Sequence, residues 1–294
     1  MNKLNFEIAE GKCVHCGNCV KDCPSGIIRF DENNIPTITD IDRCIKCQHC
    51  LAICPTGAIS IMDKKPEDSD LTNNFPPFDS LLNLIQSRKS IRHYKSENLD
   101  KYRLDKLKEA LKYSPTGCND HNLHISIIDD IEIMDKFRDL TNSKIKAIFE
   151  NKKLNFITKK LPRYKAAFSN GNDVIFRGAP HMIVVSSPID APCKDIDPVI
   201  NLSYFELLAQ SFGVGTLWCG FAQICLKCFP DLCAFLEIPD RYKPVYVMLF
   251  GPTDTKYTRT TQPEEYQLVS VSGENNIKLS LVQKLKRYFW NFIK

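Results

Sequence analysis

What is missing bounds this chain of 294 residues first. No uninterrupted apolar stretch is long enough to cross a bilayer, so the sequence offers no membrane span. Neither sign of charge dominates: 39 Lys and Arg stand against 35 Asp and Glu, a formal net charge of +4. That balance gives no argument for a nucleic acid partner. Met1–Glu10 holds no apolar h-region, so no secretory signal is read there. The chain's 14 cysteines are therefore expected as thiols of a reducing, cytoplasmic setting and not as a disulfide framework. No G-x-G-x-x-G run follows a strand candidate, so that dinucleotide fingerprint is absent too. The remaining composition, 43% hydrophobic and 25% charged, is that of an ordinary folded protein.

Eight of the cysteines are ordered. Cys13-Val-His-Cys16-Gly-Asn-Cys19-Val-Lys-Asp-Cys23-Pro24 is followed by Cys44-Ile-Lys-Cys47-Gln-His-Cys50-Leu-Ala-Ile-Cys54-Pro55. Zinc takes four ligands, commonly as two separated C-x2-C pairs, and does not account for two quartets each closed by proline. The run C-x2-C-x2-C-x3-C-P, given twice, resembles that of bacterial-type ferredoxins with two [4Fe–4S] clusters. The resemblance implies that Cys13, Cys16, Cys19 and Cys54 hold one cluster, and Cys44, Cys47, Cys50 and Cys23 the other. Cys-Pro-Ser-Gly-Ile-Ile at Cys23–Ile28 answers Cys-Pro-Thr-Gly-Ala-Ile at Cys54–Ile59, so the module is an internal repeat with a small, apolar shell. His15, Lys46 and His49, between the ligands, read as solvated loop side chains. Low-potential clusters suit an anaerobic or microaerobic host.

The composition then changes. Residues 1–63 read as the two-cluster domain, 64–77 as a polar, proline-bearing linker, 78–275 as a second domain and 276–294 as an amphipathic C-terminal extension. Asp79 is placed to cap a helix over Ser80–Arg88 with Leu81, Leu82, Leu84 and Ile85 on its apolar face. Helical spacing recurs over Lys101–Tyr113 and Asp197–Phe212, and more weakly over residues 131–176. His124–Ile128, His181–Val185 and Pro244–Phe250 are strand candidates.

Four short motifs lie in this second stretch. Arg88-Lys89-Ser90-Ile91-Arg92 combines guanidinium forks and a hydroxyl, the donors that suit a phosphate of about two negative charges. Ser114-Pro115-Thr116-Gly117-Cys118-Asn119-Asp120-His121 is a tight turn rich in hydroxyl and amide groups. Gly213-Val-Gly-Thr-Leu217-Trp218-Cys219-Gly220 carries glycines that permit close backbone approach to a flat ring. Gly251-Pro252 leads to Lys256 and Arg259. In order and spacing these resemble the motifs of the nitroreductase family of FMN enzymes, and the whole chain resembles ferredoxin–nitroreductase fusions. The chain departs from the family pattern at His121, where glutamine is usual.

The resemblance implies an α+β sandwich, a mixed sheet flanked by helices, assembled as a homodimer with FMN at the interface. Arg88, Lys89, Ser90, Arg92, Lys256 and Arg259 would meet the phosphate. Leu217, Trp218, Cys219 and Gly220 would run beside the ring, and Ser114, Thr116 and Asn119 would reach the cofactor from the neighbouring subunit. The function implied is an oxidoreductase that takes single electrons from a donor such as reduced ferredoxin into two clusters. FMN then passes electron pairs to nitroaromatics, quinones or similar small acceptors. Alternatives are another flavin reaction, such as alkene reduction or dehalogenation, for which His121, His124 and Tyr113 are candidate proton donors. An NAD(P)H-fed nitroreductase and a non-catalytic electron carrier or redox sensor are the others. No side chain is singled out as catalytic.

Cys225, Cys228 and Cys233 lack a fourth ligand and read as buried free thiols in a short helical segment ending at Pro239. Cys118 and Cys219 fall inside the flavin-lining motifs. In Ile277–Lys294, Leu281, Leu285, Phe289 and Phe292 share a helix face beside a basic remainder, the look of a membrane-surface helix, but the resemblance implies packing on the dimer or the core instead.

Overall fold

The cysteine block folds as the repeat its sequence announces. In the computed structural model, which describes residues 4–150 and 172–271, strand β1 (Glu7–Ile8) pairs antiparallel with β4 (Ile59–Ser60), and β2 (Ile28–Phe30) with β3 (Pro36–Ile38). Helices α1 (Asn18–Asp22) and α2 (His49–Ala52) occupy equivalent places, each entered through a left-handed residue, Gly17 at φ 74° and Gln48 at φ 60°. His15 and Lys46 repeat this at φ 54° and 57°. A backbone alternating into the left-handed region turns successive N–H groups inward, the concavity that anionic iron–sulfur sites use. The core of this part is small: Leu4, Ile27, Ile28, Leu51, Ile59 and Ile61 pack with Cys19 and Cys50. A core of that size needs a staple, and the thiols are placed to supply it.

The second part is built on a sheet of order β5-β6-β8-β7: β5 (His124–Ile128), β6 (His181–Pro188), β7 (Gly215–Trp218) and β8 (Tyr242–Gly251), all neighbours antiparallel. A parallel bridge between Ser90 and Thr216 adds the mixed character at the β7 edge. Strand β6 is buried at every position but its last, as its near-continuous apolar run requires. Alternation splits its residues between two helical layers. Met182 and Val184 face α5 (Ile131–Glu150), α7 (Gly220–Cys228) and α8 (Pro230–Phe235), whereas Ile183 and Val185 face α4 (Lys101–Ala110) and α6 (Asp197–Ser211). Each fully buried residue of this kind contributes about 1.5–3 kcal/mol, so the sheet centre fixes the frame from which the site loops project.

Local details differ from expectation at several points. Helix α3 covers Phe78–Ser87 and starts after Pro77, earlier than expected, so Asp79 lies inside the first turn, where it suits the helix dipole but cannot serve as the N-cap. Its apolar residues are not packed away: Phe78, Leu81, Leu82 and Ile85 are exposed. The helix over Lys101–Tyr113 tightens into a 3-10 turn after Ala110. Of the described residues in 131–176, Ile131–Glu150 are helical and 172–176 are not; the rest of that expected helical stretch lies outside the described residues. The chain divides into two units, Met1–Arg259 and Thr260–Lys294; residues 260–271 of the second carry neither helix nor strand. The amphipathic stretch Ile277–Lys294 lies outside the described residues. Among the described residues no helix is long and apolar enough to cross a membrane.

Candidate functional site

Cys23, Cys44, Cys47 and Cys50 line one recess, and Cys13, Cys16, Cys19 and Cys54 line a second. The last cysteine of each copy thus joins the first three of the other, because α1 and α2 pack together and carry Cys23 and Cys54 across. Among the described residues no three His, Cys, Asp or Glu converge closely enough to hold a single metal ion. A zinc ion would need all four sulfurs at about 2.3 Å. Four thiols spaced around a recess suit a polynuclear cluster, in which each iron takes one protein sulfur.

The donor chemistry agrees. Burial pushes the Cys50 thiol up to about 12 and raises that of Cys19, so both need cationic irons to exist as thiolates. Burial also pushes Cys54 up, but the Ala58 amide 3.2 Å away, with Thr56 and Gly57, outweighs it and leaves the thiol below its ordinary value. An N–H aimed at a ligand sulfur is one lever on cluster potential. His49 faces Asp22 at 3.2 Å with both side chains exposed, and His15 Nδ1 lies 2.6 Å from the Asn34 carbonyl.

Three of the four other motifs meet at one sheet edge. Lys89 Nζ donates to the carbonyls of Gln86 (2.8 Å) and Arg88 (3.2 Å), closing the end of α3. Beyond it, Ile91 N donates to Thr216 O at 2.8 Å, laying the segment after Ser90 along β7. A β-carbon on Gly215 would stand 2.8 Å from Ile91, so this approach needs glycine. Arg92 Nη1 donates to Ser90 O at 3.1 Å. Gly251 pairs with Gly215, Lys95 N donates to Pro252 O (2.9 Å), and Thr253 Oγ1 donates to His93 O (2.7 Å).

Arg88 Nη1 lies 3.2 Å from Glu206 Oε1, which Thr216 Oγ1 also approaches at 3.4 Å. Lys256 and Arg259 are exposed, and among the described residues neither joins an ion pair. Nothing ties them to Arg88. Trp218 packs edge-on against Tyr246 at 5.2 Å, partly buried on one sheet face, while Leu217 packs on the other. Cys219 is buried and structural: its sulfur accepts from Ala222 N at the start of α7 and donates to Ile175 O, and burial raises its thiol.

The fourth motif is elsewhere. Gly117 N donates to both carboxylate oxygens of Asp197 (3.1 and 3.0 Å), and Asn201 Nδ2 donates to Ser114 Oγ (2.6 Å). Asp197 and Asn201 lie at the start of α6, and Glu206, which holds Arg88, lies about 14 Å along the axis from Asp197 at 1.5 Å per residue. One helix therefore presents the turn and the Arg88 segment at separate points. Thr116 Oγ1 accepts from His121 N (3.0 Å), Cys118 is exposed, and Asn119 Nδ2 donates to Ile45 O at 3.0 Å in the loop between Cys44 and Cys47. The sequence reading missed Asp197, Asn201 and Glu206. Their signal was the interruption of an apolar helix by polar residues that are almost fully buried. Cys225 is buried as expected, but Cys228 is exposed because α7 ends there and turns it outward.

The chain matches a sequence model described as the nitroreductase family over residues 85–252, and one described as a 4Fe-4S dicluster domain over residues 12–58. No curated protein matches it. Among solved structures, a nitroreductase with bound FMN from Bacteroides fragilis shares 16% identity at a TM-score of 0.54, covering 65% of this chain and 98% of that one. Another with bound FMN, from Desulfitobacterium hafniense, shares 22% identity at 0.51, covering 65% and 97%. An FMN-dependent nitroreductase from Clostridium difficile shares 20% at 0.51, covering 66% and 99%. At these identities the likeness is one of fold.

Proposed function

Because this chain belongs to the nitroreductase family and carries a 4Fe–4S dicluster domain ahead of it, we propose that it is an FMN- and iron–sulfur-dependent oxidoreductase that turns single electrons into pairs. In this reading a low-potential one-electron donor such as reduced ferredoxin feeds the two quartets, and a small acceptor of the nitroaromatic or quinone type is reduced. Bound FMN would supply the hydride-level chemistry that no side chain here can.

The chain's own residues have distinct tasks. The crossed quartets hold iron, with Cys19 and Cys50 buried and Cys16 open to solvent. Arg88, Ser90 and Arg92, with Lys256 and Arg259 and the helix-closing Lys89, are the donors proposed for the phosphate. The backbone of Leu217, Trp218, Cys219 and Gly220 at the sheet edge is the proposed ring support. Ser114, Thr116 and Asn119 stand apart from these in one chain, which favours a site completed by a second copy. The surface of α3 supports that assembly: a ten-residue helix with no buried residue is marginal alone. Its Leu81, Leu82 and Ile85, with Tyr204 and Leu208 of α6, form an apolar face for a homodimer to cover.

The crossing of Cys23 and Cys54 into opposite recesses carries this reading, since two-cluster repeats of this spacing draw each fourth thiolate from the other copy. The test is anaerobic stopped-flow on protein loaded with iron and FMN, mixed with reduced ferredoxin or with NAD(P)H. Fast flavin bleaching by ferredoxin, lost in Cys16→Ala, supports the reading. Fast bleaching by NAD(P)H with broken clusters overturns the proposed direction of electron flow.

A further inference from the structure

The amide of Asn119 joins the turn at 114–121 to the cysteine module, and its orientation follows from its partners. The Ile45 carbonyl can only accept, so the atom 3.0 Å from it is Nδ2. Oδ1 then faces His121 Nε2 at 2.9 Å, and that nitrogen must carry the proton. His121 is in turn anchored by its own N–H on Thr116 Oγ1, and Gly117 is anchored on Asp197. The backbone accepts strain to reach this geometry: Cys118, Asn119 and His121 stand at φ 56°, 56° and 48°. Non-glycine residues in that region persist where their surroundings over-determine them, commonly at functional positions.

The contact is asymmetric between the quartets. Ile45 sits between Cys44 and Cys47, and Lys46 and Gln48 beside it are themselves left-handed. Around the other quartet, His15 bonds Asn34, and Cys54 bonds Thr56 and Ala58, all within the cysteine module.

We propose that Asn119, aimed by His121, is the positioning residue that docks the Cys23/Cys44/Cys47/Cys50 cluster on the flavin module and makes that cluster the electron exit. This rests on the iron–sulfur/flavin reading above. Each crossing removes one electron from that cluster and delivers one to the flavin; the low-potential donor of that reading restores it. The other quartet is the entry side.

The test compares Asn119→Ala, His121→Leu and His121→Gln with wild type, all full-length and loaded. Two readouts are used: hydrogen exchange of the peptide spanning Cys44–Cys50, and the rate at which pre-reduced clusters bleach bound flavin in a single turnover. Loss of one ordinary hydrogen bond shifts the docked equilibrium roughly fivefold. Asn119→Ala and His121→Leu should therefore raise exchange at that peptide by about that factor and slow the transfer measurably, with iron content unchanged. His121→Gln, which can still donate to Asn119, should restore both. His121→Leu leaves Asn119 in place, so it reads the positioning role even where Asn119→Ala weakens FMN. Wild type binding no FMN overturns the functional reading and this route with it. Bound FMN with unchanged exchange and transfer in both disruptive variants overturns this inference alone.

Discussion

Glu206 holds Arg88 at 3.2 Å with only 9% of its side chain exposed, whereas the arginine keeps 36%. The carboxylate therefore has a fixed, buried position and the guanidinium a free face. Arg88→Ala leaves Glu206 with Thr216 alone, and should cost about 1–3 kcal/mol, at the low end for a broken pair because the arginine is partly solvated. Arg88→Ala with Glu206→Gln should recover most of that loss yet still bind FMN poorly, since no guanidinium remains for the phosphate. Denaturation midpoints and FMN content separate the two effects. Charge reversal of Arg88 and Arg259 together should strip FMN with iron intact; retained FMN would remove the proposed phosphate site.

The crossed quartets predict which cysteine losses add. Cys54→Ala should lower iron from about eight to about four per chain. Adding Cys13→Ala should lose no more, because both serve one recess, whereas adding Cys44→Ala should remove the rest. Iron analysis and the paramagnetic spectra of the reduced protein read this directly. The opposite pattern, Cys54 grouping with Cys44, would mean that each copy holds its own cluster.

The quartets were legible from sequence because cluster chemistry demands fixed spacing, and β6 and β8 because a doubly covered strand must be apolar throughout. The fold class followed from the family resemblance that the order of the motifs carries. Other features depend on partners far along the chain. Asn119 meets Ile45 across a separation of 74 residues, a relation no local pattern encodes. Asp197, Asn201 and Glu206 were hidden by the apolar residues around them on α6. The apolar face of α3 was legible as a pattern, but that pattern fits both a core contact and a face that a second copy would cover, and sequence alone does not distinguish the two.

That face gives a third prediction. Ile85 is half exposed on α3, so Ile85→Glu should leave the chain's own core intact while placing a charge in the proposed interface. Sedimentation should show a shift from dimer to monomer at micromolar concentration, with FMN lost and iron kept. A variant that stays dimeric and flavin-loaded would move the interface off this helix.

Stability should also carry the signature of His181. Its ring is fully buried against Phe250, and Nε2 accepts the Leu99 N–H at 2.8 Å, so the neutral form with its proton on Nδ1 is the one that fits. Burial pushes its pKa down to about 4, against the opposing pull of Asp129 and Asp130 and with Lys108 adding to the depression. The unfolded ring takes a proton near pH 6.5, so the unfolded state binds more protons between those values. The stabilisation is complete above about pH 6.5 and falls by about 1.4 kcal/mol per unit as pH drops toward 4, roughly 3 kcal/mol in all. His181→Gln can still accept from Leu99 but does not titrate. The difference in denaturation midpoint between wild type and His181→Gln should therefore shift against wild type from pH 7.5 to 5.5. A difference that stays constant across that window would mean that water reaches the ring and it titrates alike in both states, and a shift in favour of wild type would mean that His181 is already protonated in the fold.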